Sequence, residues 1–504
     1  MSYRGIPRSY ADMECFGVHT FRFINDEGAP SFVKFNWKPV AGVHSLVWDE
    51  AQKIGGKYPD FHRRQLWESI DQGNYPEYEL GLQIVANEDE FDFDFDLLDS
   101  TKLITVSMVP MQIIGKMTLN RNPDNYFAET EQVAFHLGNI VPGIYFTNDP
   151  LLQGNFFSYI EMQINRFGSA NYHELPINQP IADISNNQRD GFMRHSIVKG
   201  RVNYEPNILG GGCPMQKIMQ KVGLQLIQSL LKVQKFASAA PTFANHFSQA
   251  ALFWCSQADW EKDHIVNAFL FELGKVEIIA IRQRIVSSLT QVDSVQAQRV
   301  ADGLDIVLPA PTVGHKDVPH TAEPEMDKKL SSSNNFNKSI KGLKIAILAA
   351  DMVDGTALEL ACTTLESEGA CVKIIAPILG DITSIEGKLI VVDHSLPTVS
   401  STQFDAVFIA GGMESVKTLC AKSFAVLFVK EAYKHGKPFG AADDGVLLIE
   451  KAERTSGGPN DTSSDIGIVT ASEDEVEADF MDQFVGIVAI HRFNERPDLE
   501  AISF

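Results

Sequence analysis

The residues that could do chemistry cluster in GNFFSYIEMQINR, residues 154–166. On a helix, Asn155, Tyr159, Met162, Gln163 and Arg166 share one face. An ionised phenol is an uncommon but good ligand for ferric haem iron, and an arginine two turns further along could hold a haem propionate. A flat macrocycle laid on this face would meet Tyr159 at its iron and Arg166 at its edge. The plainer reading of one tyrosine on an inner helical face is a core residue with a bonded hydroxyl.

Positioning these groups takes a large fold. At 504 residues the chain exceeds a single core and implies roughly two to four domains. No apolar run approaches the ~20 residues that a membrane helix needs, and MSYRGIPRSYADME has no apolar segment of the signal-peptide kind. A cytoplasmic protein is expected. The 43 basic and 65 acidic residues leave a formal charge of -22, which disfavours nucleic acid and anionic membranes as partners. Six scattered cysteines without CxxC spacing read as free thiols, and against zinc or iron–sulfur sites.

Residues 19–24, 31–37 and 78–85 alternate like antiparallel strands, with one helical insert near 60–70. FDFDFDLLD, 91–99, reads as a half-buried strand or extended segment rather than a calcium site. Residues 121–214 are rich in Asn, Pro and Gly and read as a long arm interrupted by the Tyr159 helix. Helical periodicity occupies 215–308, with Ser256 and Asp259 placed like a capping box and a stripe of Ile265, Phe269, Leu273 and Val276. The proline- and serine-rich stretch 309–341 reads as a linker. Beyond it, apolar runs at 343–349, 371–378, 388–392 and 404–412 alternate with helical stretches and predict a doubly wound parallel sheet.

FSYIEMQINRFGSANYHELPIN resembles the proximal-haem segment of the haem catalases. IPRSYADMECFGVHTFRF, FVKFNWKP, SLVWDEAQKIGGKYPDFHRRQLWESI, PEYELGLQ, GKMTLNRNPDNYFAETEQVAFHLGNIVPGIYFTNDPLLQG and QRDG extend the resemblance over nearly the whole chain. The extra domain points to the large-subunit branch. The fold implied is α+β: a portion of the catalase antiparallel β-barrel over 1–120, then the wrapping arm and helical domain. The last domain, 342–504, resembles the flavodoxin-like fold of class I glutamine amidotransferases. Its elbow stretch FGAADDGVLL carries Asp443 and no thiol, so a structural role is expected.

The resemblance implies hydrogen peroxide as substrate, haem of b or d type with its iron, and a homotetramer. It makes Tyr159 the iron ligand and Arg166 a propionate partner. Phe135, His136, Leu151, Ser158, Met162 and Gln163 would line the proximal side, with Val18 and His19 approaching from the barrel. His136 is expected to be hydrogen-bonded, although in some large-subunit catalases the matching histidine is covalently joined to the ligand tyrosine.

Two departures stand out. Asn155 occupies the place of a family arginine, and so brings no charge to favour the phenolate. The family's V-x-H-A-R-G and F-x-x-Q-D segments, which supply the distal histidine and asparagine, are absent, and none of the thirteen histidines precedes Ala-Arg. No catalytic acid–base residue is therefore identified. The expectation is that a separate N-terminal catalase half completes the barrel, that this part was lost, or that the oligomer is altered. The functional expectation is peroxide dismutation; the alternative is a degenerate haem-binding or assembly scaffold.

Overall fold

The computed structural model describes residues 2–141, 143–179, 181, 192, 194–197, 208, 244–309, 326–334, 338–454, 466–472 and 478–496. QRDG, Cys213, the start of the expected helical domain and most of the expected linker lie outside the described residues.

The first sheet contains β1 (Cys15–Phe16), β2 (Phe21–Ile24), β3 (Pro30–Pro39), β4 (Glu77–Ala86), β5 (Gln112–Thr118) and β6 (Ile144–Phe146). Their order is β5-β4-β3-β2-β6, with β1 also on β3, and every pairing is antiparallel. Two helices, α1 (Trp48–Lys57) and α2 (Phe61–Asp71), fill the β3–β4 connection, where the sequence suggests only one. Gly55 and Gly56 inside α1 weaken its helical signal.

FDFDFDLLD is not a strand. After a 3₁₀ turn at Asn87–Phe91 the chain runs through bends. Phe93 and Phe95 pack beside a core of Phe32, Val85, Leu97, Leu98 and Ile104. Phe91 stays 71% exposed. Strict alternation fails because successive aspartates prefer solvated turns to a ladder.

After β6 comes α3 (Pro150–Phe167). Asp149 caps it, accepting from the N–H groups of Leu151 and Leu152, Pro150 sits in the first turn, and Gly168 closes it at φ 69°. Helices α4 (Ser248–Ser256), α5 (Asp259–Gly274), α6 (Ile279–Leu289) and α7 (Ser294–Gly303) form a separate core around Trp254, Ile265, Val286, Ala297 and Val300. The capping expectation shifts by a few residues: the Glu261 carboxylate accepts from Ala258 N–H at 2.9 Å, whereas Ser256 donates to the Leu252 carbonyl. Glu261 also binds Ser331 Oγ and Ser332 N–H at 2.7 and 2.8 Å. The described end of the linker is thus packed.

The second sheet has the order β11-β8-β7-β12-β13-β14 and is parallel throughout. In chain order its half contains β7 (Lys344–Leu348), α8 (Gly355–Ser367), β8 (Cys371–Ala376), β9 (Asp381–Thr383), β10 (Leu389–Val391), β11 (His394–Ser395) and β12 (Ala406–Ile409). It continues with α9 (Met413–Cys420), α10 (Ser423–Lys434), β13 (Phe439–Ala442), α11 (Val446–Arg454), β14 (Ile468–Ala471) and α12 (Ala478–Ile490). Ile345, Ile347, Phe408 and Ile409 are fully buried, as strands covered on both faces require. The KLIVV run, expected in this sheet, instead pairs β10 with β9 as an antiparallel hairpin. Asp443 follows β13 at φ 44° and enters α11, so the sharp elbow is present and bears a carboxylate.

Candidate functional site

The site is built on α3 and the strand that meets its N-terminus. Asp149 is 1% exposed and does two jobs: its Oδ1 caps α3, while its Oδ2 accepts from His19 Nδ1 at 2.7 Å. His19 lies just before β2 and is itself buried. With its proton on Nδ1, its Nε2 is left as an acceptor, and Asn155 Nδ2 donates to it at 3.2 Å. Thr147 Oγ1 donates to the Thr20 carbonyl at 2.6 Å and locks the two segments together. A line of contacts therefore runs Asp149–His19–Asn155, ending one helical turn before Tyr159. Nearby, burial pushes the Lys34 ammonium down to about 8 against the pull of Asp149 and Asp99.

On the other flank, Gln163 is buried and His136 is partly so. Gly138 N–H donates to His136 Nδ1 at 2.9 Å, and Nε2 reaches the Phe156 carbonyl at 3.1 Å. Both ring nitrogens are thus used within the protein, with the Tyr159 ring edge-on at 6.5 Å between centroids. Gln163 Nε2 donates to the Phe135 carbonyl at 3.1 Å and Gln163 Oε1 accepts from Arg166 Nη1 at 2.7 Å. Arg166 also donates to the carbonyls of Val133 and Glu131. Its guanidinium anchors the 131–135 loop while the side chain stays at the surface.

The face carrying these groups is uncovered. Phe135 is 75%, Leu151 52%, Met162 46% and Val18 41% exposed, and Ser158 is exposed as well. Among the described residues no protein group hydrogen-bonds the Tyr159 hydroxyl. An apolar strip with a partnerless phenol at its edge fits a flat, largely apolar ligand that accepts an oxygen donor.

The structure brings Val18, His19, Phe135, His136, Leu151, Asn155, Ser158, Tyr159, Met162, Gln163 and Arg166 to one region around α3. Sequence reasoning missed Asp149. Its signal was legible in part: an aspartate followed by proline, ahead of an apolar run, marks a helix start. The contact to His19, 130 residues away, was not legible.

Comparison with known proteins agrees with this architecture. The catalase family matches residues 1–211, the catalase-related immune-responsive family residues 240–304, and the C-terminal domain found in long catalases residues 341–497. Catalase-2 of Bacillus subtilis (strain 168) is 46% identical over 98% of this chain and 70% of its own length. Catalase HPII of Mycobacterium avium gives 46% identity, over 98% and 70%. Catalase-1 of Neurospora crassa gives 39%, over 98% and 68%. The chain belongs to the catalase family, in the long-chain branch.

Proposed function

We propose that this chain supplies the proximal side of a haem site in an enzyme that dismutates hydrogen peroxide to water and oxygen. The observation that carries the reading is the uncovered apolar face of α3 beside a phenol that no described protein group binds. Tyr159 would ligate the iron. Val18, Phe135, Leu151 and Met162 would cover one face of the macrocycle and exclude water from it. Bound haem supplies the iron centre at which peroxide is oxidised and reduced.

The chain's own residues set the state of the phenol. A phenol of ordinary pKa about 10 binds iron as its anion, and positive neighbours or hydrogen-bond donors favour that form. Asp149 fixes the His19 tautomer, His19 Nε2 occupies one Asn155 amide hydrogen, and the amide then presents dipoles rather than a charge toward Tyr159. Arg166 spends its donors on the 131–135 loop and Gln163, so its support for the site includes positioning Phe135; a propionate would compete for the same guanidinium. His136, bonded at both nitrogens, orients the ring edge-on to Tyr159.

Residues 342–504 are taken as a flavodoxin-like unit with a structural role, the elbow carboxylate of Asp443 standing where a thiol nucleophile would be needed. The exposed edge strand β5, carrying Ile113, Ile114 and Met117, supports assembly into a homo-oligomer.

Oxygen evolution from peroxide, normalised to bound haem, tests the reading. Wild-type protein should evolve oxygen and Tyr159→Phe should not; equal rates per haem would remove Tyr159 from the site. Asn155→Arg should tighten ferric haem binding by up to about tenfold through the added charge, and unchanged affinity would count against the role given to this position.

A further inference from the structure

The two halves of the chain meet over a layer of buried charge that the haem site does not use. Arg8 forms a two-point ion pair with Asp405 and a 3.1 Å bond to Asp12. Glu50, on α1, is fully buried and faces Lys437 at 2.8 Å and Arg492 at 3.3 Å. Lys437 Nζ also donates to the carbonyls of Ser401 and Phe404, both at 2.6 Å. Every ammonium hydrogen of this buried lysine is thereby used.

Within this layer sit two histidines, each 1% exposed. His435 Nε2 meets Asp49 Oδ2 across the junction at 2.7 Å. His491 Nε2 lies 3.3 Å from Asp405 Oδ1, the carboxylate that grips Arg8. In both rings Nδ1 is buried and has no hydrogen-bond partner. His491 also adopts φ 73°, a left-handed conformation that packing must impose on a non-glycine residue. A neutral ring satisfies this geometry, with Nε2–H donating to the carboxylate. A second proton would have to reside on Nδ1, where no described protein group accepts it.

We infer that the junction is an acid-released latch, in which His435 and His491 must be neutral for the C-terminal half to stay docked on the N-terminal half. The surroundings of each ring favour this direction. His491 faces Arg492 and, at 4.6 Å between ring centroids, His44, with Asp405 opposing them. Burial pushes its basicity well below the usual imidazole value, and Arg492 and His44 add to the shift. His435 faces Asp49 and Glu50 from α1 and Lys437 from its own loop, with Lys53 bridging Asp49 to Glu431 beside it. Burial again lowers its basicity, outweighing the hydrogen bond to Asp49. Glu50 Oε1, 4.0 Å from His435 Nδ1, is already engaged by Lys437 and Arg492 and is too distant to accept a bond.

The sign follows from proton linkage. A ring that is neutral when docked and ordinary when released binds more protons in the released state, so docking is fully present above the released pKa of about 6.5 and weakens as pH falls below it. Each histidine should weaken docking by up to about tenfold at pH 5.5, and the pair by up to about a hundredfold.

Hydrogen exchange on the full chain reads this. The amides of Arg8 and Leu46, bonded to the carbonyls of His44 and Ile6 in irregular chain beneath the junction, should lose protection, by up to about a hundredfold, between pH 7.5 and 5.5 after correction for intrinsic exchange. The amides of Ile345–Leu348, inside the second sheet, should not follow. His435→Gln and His491→Asn together should flatten the loss at the junction. Protection that does not fall with pH, or that falls equally in the double variant, overturns the latch. Should the variants fold poorly, imidazole carbon NMR on the wild-type chain decides: titration of both rings displaced below the ordinary value in the docked protein is expected, and ordinary titration near pH 6.5 at either ring overturns the proposal.

Discussion

The two six-stranded sheets solve opposite problems. In the second, β7, β12 and β13 are buried on both faces, with Ile345, Phe408 and Phe439 at 0% exposure. In the first, β5 at one edge is exposed along nearly its whole length, and the apolar face of α3, which follows β6 at the other edge, is uncovered. One sheet is finished by its own helices; the other displays surfaces suited to a cofactor and to partner surfaces. Stability is therefore concentrated where the chemistry is not, and the layer of buried charge at Glu50, Lys437 and Arg492 couples the two.

The largest effect should come from that coupling. Glu50→Gln leaves Lys437 and Arg492 buried without their shared carboxylate and should cost about 3–5 kcal/mol of stability in denaturant unfolding. A cost near zero would mean the junction relaxes and is not a rigid coupling. Almost as large is the contrast between the sheets themselves. Phe408→Ala should cost about 3–5 kcal/mol, whereas Ile114→Thr on β5 should change stability by no more than about 0.5 kcal/mol. Similar losses at both positions would erase the distinction between a finished and an open sheet.

Strong acid should also act at the junction. Burial works against the Asp12 carboxylate, but Arg8 and then His44 overcome it and hold the group at about 2. Because its folded value is depressed below the ordinary 3.8, its contribution is complete above that value and is lost as pH falls through about 2. Asp12→Asn should remove about one proton's worth of slope, about 1.4 kcal/mol per pH unit, from the acid limb between those limits. An unchanged acid limb would show that Asp12 is not held in this way. The smallest loss expected at a buried position is local: Asp149→Ala removes the α3 cap and the His19 anchor, and should cost about 1–2 kcal/mol. A loss below about 0.5 kcal/mol would show that the cap does not hold α3.

The same contrast explains what could be read from the sequence. The second sheet's buried strands are near-continuous apolar runs, so Lys344–Leu348, Cys371–Ala376 and Ala406–Ile409 are legible without a structure. KLIVV looks the same locally, and only the fold places it in a side hairpin with Leu389 and Val391 exposed. In the first half, β2, β3 and β4 betray themselves by alternation. The alternating FDFDFDLLD does not form a strand because its aspartates favour bends. At the site, Tyr159 and Arg166 follow from helical spacing, but the tie from Asp149 through His19 to Asn155 depends on β2 and α3 meeting in space. The guanidinium of Arg166 also has intrachain work, on the carbonyls of Glu131 and Val133, which no spacing rule reveals.

The central claim is that the uncovered face of α3 holds haem through Tyr159, and the visible absorption spectrum of the ferric haem-reconstituted chain tests it most directly. The account predicts a Soret band with the charge-transfer features of a phenolate ligand in the wild type, and loss of those features in Tyr159→Phe. A spectrum identical in both proteins, or no Soret band in the wild type after reconstitution, would contradict it.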